Sequence, residues 1–200
     1  MDRSVELRTP RLRLRSLTPE DVPLVLGWAR NPDVVQNFSF FEWGADPDRI
    51  RAYIEEKRRS RSDLILAVFE GESYAGNVGL HELDAVNDNA RLGMILRQEA
   101  WGRGIGGEAL LGLMDHAFAS MGLYKLYLNV FTTNEKGIHL YEKLGFLREG
   151  VMRSEYKLRG AYRDLLRMSV LRPEWPTAAA SRILGPEIGS PELPAREGSA

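Results

Sequence analysis

Leu12 and Leu14 alternate with Arg11, Arg13 and Arg15. A period of two sends successive side chains to opposite faces, so this stretch predicts a first strand with one wet face. Thr18-Pro19-Glu20-Asp21 then reads as a helix start. Threonine caps, proline takes the first helical position, and the two acids suit the positive end of the helix dipole. Asn31-Pro32 stops this helix. Asp46-Pro47-Asp48 opens a second by the same chemistry, running through Ile50, Tyr53 and Ile54 to a charged end near Arg59. Residues 64–69 form a short apolar run that predicts a buried strand, and Glu70-Gly71-Glu72 turns the chain into a longer strand over 74–83. After a second turn at Asn87-Asp88-Asn89, residues 90–96 complete a meander.

Further along, Ala109, Leu110, Leu113, Met114, Ala117 and Phe118 recur at three- and four-residue intervals. That is the stripe of an amphipathic helix, and Met121-Gly122 suits its C-terminal cap. Residues 126–130 read as a strand. Asn134 can cap a helix carrying Ile138, Leu140, Tyr141 and Leu144, which Gly145 ends; 146–151 and 162–170 read as two final strands. From Pro173 the composition shifts to five prolines and small residues, which predicts a domain over 1–172 and a flexible tail over 173–200. The order of elements implies one mixed sheet with helices on its faces.

Composition narrows the options. A chain of 200 residues with a formal charge of -1 has no field that would draw it to nucleic acid or an anionic membrane. With no cysteine, a disulfide framework, a thiolate-held metal and an S-acyl-enzyme are all excluded. The start of the chain has no apolar signal segment, and no stretch nears the roughly 18 apolar residues of a membrane span. A cytoplasmic location is expected.

Gly102, Gly104, Gly106 and Gly107 lie between a predicted strand and a predicted helix. Glycines let the backbone approach a ligand, and the amides opening a helix lack internal partners, so they can hold an anion. Packing alone also produces such turns. No Gly-Lys-Ser/Thr follows, which rules out a Walker loop. Gly102, Gly104 and Gly107 do meet the bare dinucleotide spacing, but they follow a meander rather than an opening βαβ unit.

Three segments in order resolve these alternatives. They are Ala90 to Leu96, then Trp101-Gly102-Arg103-Gly104-Ile105-Gly106-Gly107-Glu108-Ala109, and then Asn134 to Phe146. This set resembles the GNAT superfamily of N-acetyltransferases, in its RimJ/RimL-like branch, over roughly residues 7–172. Leu123 to Leu128 and Gly160-Ala161-Tyr162-Arg163 are similar to the spermidine-acetylating members. One departure is Trp101, where the superfamily often has Gln or Arg. The resemblance implies an α+β (mixed α/β) GNAT fold: a mostly antiparallel twisted sheet of about seven strands, with helices on both faces.

It also implies acetyl-CoA as co-substrate and direct transfer to a primary amine, without a metal. Met94, Ile95 and Leu96 would lie on a strand that splays from its neighbour at a bulge and binds the pantetheine arm. Trp101, Gly102, Arg103, Gly104, Ile105, Gly106 and Gly107 would cradle the pyrophosphate. Tyr141 would protonate the departing thiolate; a phenol near pKa 10 facing a thiol near 8.5, both roughly, makes that transfer cheap. Asn134 would cap its helix and lie along the cofactor. Lys136 and Lys143 either reach its phosphates or sit on solvated helix faces.

The amine must lose a proton, and Glu82 on the strand over 74–83 is the first candidate base. His81 is the second; strict alternation would put the two on opposite sides, so that only one meets the acceptor. Many relatives have an acid in place of Arg91, so arginine there points to an acidic substrate. His116 and His139 read as structural or solvent-facing. Phe38, Phe40, Phe41 and Trp43 crowd one short segment with Glu42. They either wall the acceptor site or bury against the sheet or a homodimer partner. Glu42 and Asp46 could hold a cationic amine, and a loop over 155–160 is the other expected wall. The acceptor is then a small molecule (polyamine, amino sugar or antibiotic) or, alternatively, a protein N-terminus. A CoA-binding module without turnover is the reading from another class.

Overall fold

Hydrophobic alternation builds two layers of contact, one on each side of a single sheet. The computed structural model describes residues 4–35 and 46–175. Its strands are β1 (Glu6–Arg8), β2 (Leu12–Ser16), β3 (Leu64–Glu70), β4 (Ser73–Asp84), β5 (Asn89–Leu96), β6 (Lys125–Phe131), β7 (Leu147–Leu158) and β8 (Ala161–Leu171). Its helices are α1 (Val22–Ala29), α2 (Pro32–Val35), α3 (Pro47–Arg59), α4 (Ile105–Asp115) and α5 (Glu135–Lys143). The strand order is β1-β2-β3-β4-β5-β6-β8-β7. Every neighbouring pair is antiparallel except β5–β6.

On one face Leu14, Val78, Leu80, Leu92, Leu126 and Met168 pack against Leu110, Leu113 and Met114 of α4 and Ile138 of α5. On the other, Ala67, Phe69 and Tyr74 pack against Val25 and Trp28 of α1 and Ile50 and Ile54 of α3. The mixed sheet with helices on both faces is as expected, with eight strands among the described residues where about seven were expected. The extra strand, β1, spans three residues and is too short to show a period.

Several boundaries differ for local reasons. Pro19–Asp21 forms a 3-10 turn before α1 starts at Val22. α1 ends ahead of Asn31 as expected, and Pro32 then opens the short α2. α4 is regular to Asp115; His116–Ser120 then widens into a π turn. β7 continues to Leu158, so most of the loop expected over 155–160 is strand, and only Arg159 and Gly160 turn. Arg172–Glu174 forms a 3-10 turn and the Trp175 ring packs 6.0 Å from Phe118, inside the segment expected to be tail. The remainder of that segment, 176–200, lies outside the described residues.

Gly76 fixes how closely β4 approaches β5. It pairs with Leu96 at φ +146°, and a Cβ there would stand 2.2 Å from the Ile95 carbonyl oxygen. Gly71 also has positive φ, at +58°, but would meet nothing within 4 Å. Gly76→Ala is therefore expected to destabilise by about 3 kcal/mol or more, a melting-temperature fall of roughly 6–12 °C for a chain this size. Gly71→Ala should lose only about 1 kcal/mol. Equal losses by thermal melting would show that the backbone contact is not the deciding constraint.

Candidate active site

The parallel pair β5–β6 is joined only at Asn89–Lys125, Ala90–Leu126 and Arg91–Tyr127. Beyond that rung the two strands fork. The Arg97 N–H donates to the Ala75 carbonyl of β4 at 2.9 Å. Strand alternation then turns Ile95 and Gly93 toward β4 and aims the backbone groups of Leu92, Met94 and Leu96 into the fork. The Leu96 carbonyl accepts from the Trp101 indole at 3.1 Å, which ties the following loop back to the strand. A carbonyl keeps a second lone pair, and the open N–H groups need an acceptor.

The four glycines of that loop do different jobs. Gly102 and Gly104 have φ of +71° and +78°, the left-handed turn that delivers the chain into α4. Gly106 is a close-approach site: a Cβ would stand 3.0 Å from Met94 Sδ and 3.1 Å from Leu96 Cδ1. A Cβ at Gly107 would make ordinary contact, 3.5 Å from Leu140 of α5. The first intrahelical bond at this end is Glu108 N–H to Gly104 at 3.1 Å, so the amides of Ile105, Gly106 and Gly107 have no helix partner. All three residues are buried. Orphaned amides at a positive helix end suit a phosphate group. The Arg103 guanidinium pairs with Glu70.

On α5, Asn134 Oδ1 accepts the Gly137 N–H at 3.0 Å, and so the expected cap is present. Lys136 and Lys143 are exposed. Tyr141 packs at the rim of the same core as Met94 and Leu96, with its ring 6.0 Å from Phe146. No described residue hydrogen-bonds its hydroxyl, and burial pushes the phenol up to about 12. The expectation of a phenol near 10 is therefore corrected by desolvation.

The sequence pattern of the family described as Acetyltransferase (GNAT) domain matches residues 11–147. The chain belongs to this family. It is 32% identical over 164 residues to spermidine N(1)-acetyltransferase of Escherichia coli (strain K12), covering 82% of this chain and 88% of that protein. The solved structure of spermidine N-acetyltransferase from Vibrio cholerae in complex with CoA and spermine matches with a TM-score of 0.76 at 26% identity, over 82% of this chain and 96% of that one. The ribosomal L7/L12 alpha-N-protein acetyltransferase RimL shares the fold, with a TM-score of 0.79 at 17% identity over 84% and 98%.

The candidate bases do not follow the alternation of β4. Glu82 has φ +54° at a register shift between His81 and Asp84. Its carboxylate accepts from Arg91 Nε at 2.9 Å and from the Tyr127 hydroxyl at 2.8 Å. Arg91 is the cross-strand partner of both His81 and Tyr127. The bulge therefore brings Glu82 and His81 to one face, the face away from α4, and corrects the expected opposition. Burial favours the protonated form of Glu82, but Tyr127 and Arg91 outweigh it and hold the carboxyl below its ordinary value. Arg91 is likewise engaged. Asp46 Oδ1 accepts from the Asp48 and Arg49 amides as the cap of α3. Phe40, Phe41, Glu42 and Trp43 lie outside the described residues. A cavity of about 200 Å³ between α1 and the end of β5 shares no lining residue with the fork. Among the described residues no helix is long and apolar enough to cross a membrane, and no cluster of metal-ligating side chains occurs.

One contact to the glycine loop was not among the expected site features. Glu108, in the first turn of α4, is 4% exposed. Its carboxylate accepts from the Thr9 hydroxyl at 2.6 Å, the Arg11 N–H at 2.8 Å and Arg11 Nε at 2.7 Å. Arg11 Nη1 also donates to the Arg103 carbonyl at 3.2 Å. The β1–β2 turn thus clamps the glycine loop, and Arg11 offsets a negative charge beside the orphaned amides. The available signal was an acid one residue after Gly107, with an arginine at a strand start. Burial raises the Glu108 carboxyl, but Thr9 and Arg11 outweigh it and keep it below normal. A depressed carboxylate stabilises above its unfolded value, roughly 4.3, and loses that as pH falls through the folded value. Glu108→Gln should thus lose about 1–3 kcal/mol at pH 7, and the gap to wild type should close below about pH 4.3. A gap that ignores pH in thermal melts would refute the charged clamp.

Proposed function

We propose that the chain transfers an acetyl group from acetyl-CoA to a primary amine of a small molecule, such as a polyamine, an amino sugar or an antibiotic, by direct attack in a ternary complex. The observation that carries this reading is the fork. It presents open strand N–H groups at Met94 and Leu96, next to a helix start with unpaired amides, and Tyr141 packs against the same core as Met94 and Leu96. The amides of a pantetheine arm suit the open edge, and a pyrophosphate suits residues 102–107. An N–H in the fork can also receive the charge that develops on a thioester oxygen. Absence of cysteine from the sequence agrees with attack by the amine itself.

Tyr141 is placed in this reading as the proton donor to the leaving thiolate. With the phenol at about 12 and a free thiol near 8.5, stepwise transfer is uphill by roughly 5 kcal/mol. The same desolvation raises the basicity of a thiolate formed beside it. Proton transfer then belongs with C–S cleavage rather than after it. At neutral pH the hydroxyl always holds its proton, as a general acid must.

The acceptor side is mixed in charge. Glu82, on the same face as His81, is engaged by Arg91. A second ammonium of a polyamine would compete with Arg91 for the Glu82 carboxylate among the described residues. The similarity to spermidine acetyltransferases supports a small amine over a protein N-terminus.

Tyr141→Phe should bind acetyl-CoA as the wild type does by calorimetry and lose about 100-fold or more in kcat; unchanged turnover would remove Tyr141 from the mechanism. A thiol-release assay across polyamines, aminoglycosides, amino sugars and short peptides should show release with a small amine. Release with peptides alone would favour N-terminal acetylation, and none at all a binding module.

A further inference from the structure

Asp63 lies between α3 and β3 with its side chain 8% exposed. One carboxylate oxygen accepts from Ser60 Oγ at 2.7 Å and Lys57 Nζ at 3.2 Å. The other lies 2.9 Å from His81 Nδ1. Burial raises this carboxyl, but Ser60, His81 and Lys57 outweigh it, and it stays ionised. An ionised carboxylate can only accept, so it selects the imidazole tautomer with its proton on Nδ1 and a bare Nε2.

Nε2 lies over a cross-strand glycine pair. It is 3.3 Å from where a Cβ of Gly79 would stand and 3.2 Å from that of Gly93. Gly79 and Gly93 are direct partners, two residues from the His81–Arg91 rung. That rung is level with the last β5–β6 pair. The bare nitrogen therefore stands beside the first open stretch of β5, on the face opposite α4. The glycine pair leaves the ring its space: a Cβ at either position would press on it by a few tenths of an ångström, and at Gly79 it would also stand 2.9 Å from the Leu64 carbonyl oxygen.

We propose that His81 is the proton acceptor for the incoming amine and that Asp63 is its positioning residue. This rests on the acetyl-transfer reading and names the base that reading leaves open. The ammonium of the acceptor gives one proton to Nε2, and the freed lone pair forms the C–N bond. The C–S bond breaks and the sulfur takes the Tyr141 phenol proton. The second proton on nitrogen restores the phenol, and the imidazolium releases its own to solvent. Lys57 and Tyr53 of α3, Asp63, Glu82 of β4 and Arg91 of β5 are the titratable groups around the ring. Burial, Arg91 and Lys57 outweigh the Asp63 anion and keep the imidazole neutral at pH 7, ready to accept. Glu82, doubly bonded and held acidic, is the weaker base.

The test is the pH dependence of kcat/KM for the full chain, with a small amine found by thiol release. Wild type should lose activity on the acid side with a one-proton slope. His81→Gln should remove that limb and lower kcat about 100-fold, with acetyl-CoA affinity unchanged. Asp63→Asn should move the limb to lower pH, because losing the anion lowers the imidazole pKa. Glu82→Gln should keep the limb. A limb that survives His81→Gln, or that disappears in Glu82→Gln, overturns the assignment. If no amine releases thiol, the transfer reading itself fails, and this inference with it. Nitrogen NMR of the three histidines gives a separate readout: His81 should carry its proton on Nδ1 and lose that preference in Asp63→Asn. A proton on Nε2 overturns the dyad whether or not turnover is seen.

Discussion

The site depends on where β5 and β6 stop sharing hydrogen bonds. Past Arg91 and Tyr127 one strand continues with an open edge. An unpaired backbone group shielded from water loses about 1–3 kcal/mol, so the fold carries a standing demand for a strand-like partner. α4 adds a second demand at its first turn. Both fall on one continuous stretch, residues 94–107, which suits a long ligand with amides along its arm and phosphates at its end.

Electrostatics at that end are balanced rather than simply positive. A buried carboxylate in the first turn of a helix would normally offset the positive end of its dipole. Here Glu108 is turned to the β1–β2 corner and neutralised by Arg11. The acid serves as an anchor for the loop, and the dipole remains available to a phosphate. On the opposite face the same logic recurs with Asp63, which holds His81 from below while Lys57 and Ser60 hold Asp63.

Much of this was legible in the sequence. The apolar stripe of α4, the capping role of Asn134, the meander over β3 to β5 and the position of the glycine loop all follow from spacing and turn chemistry. What could not be read shares one physical cause: a single backbone dihedral or contact reassigns a side chain. Glu82 at positive φ breaks the period of two, so alternation put it on the wrong face. Gly76 looked like any strand glycine until the Ile95 carbonyl was placed against it. Thr9 and Arg11 lie nearly a hundred residues from Glu108, a separation that no local pattern bridges. The glycine cluster was legible as a group, but not its division between turning, close packing and ordinary contact.

Gly106 fixes the spacing between α4 and β5. Because a missing side chain seats α4 directly on Met94 and Leu96, the helix start and the open strand edge cannot shift relative to each other without opening a void. The distance between them is a fixed ruler. For an acetyl-CoA donor, that ruler would measure the length of the arm: a thioester whose arm is too short could dock at one end or the other, but not at both.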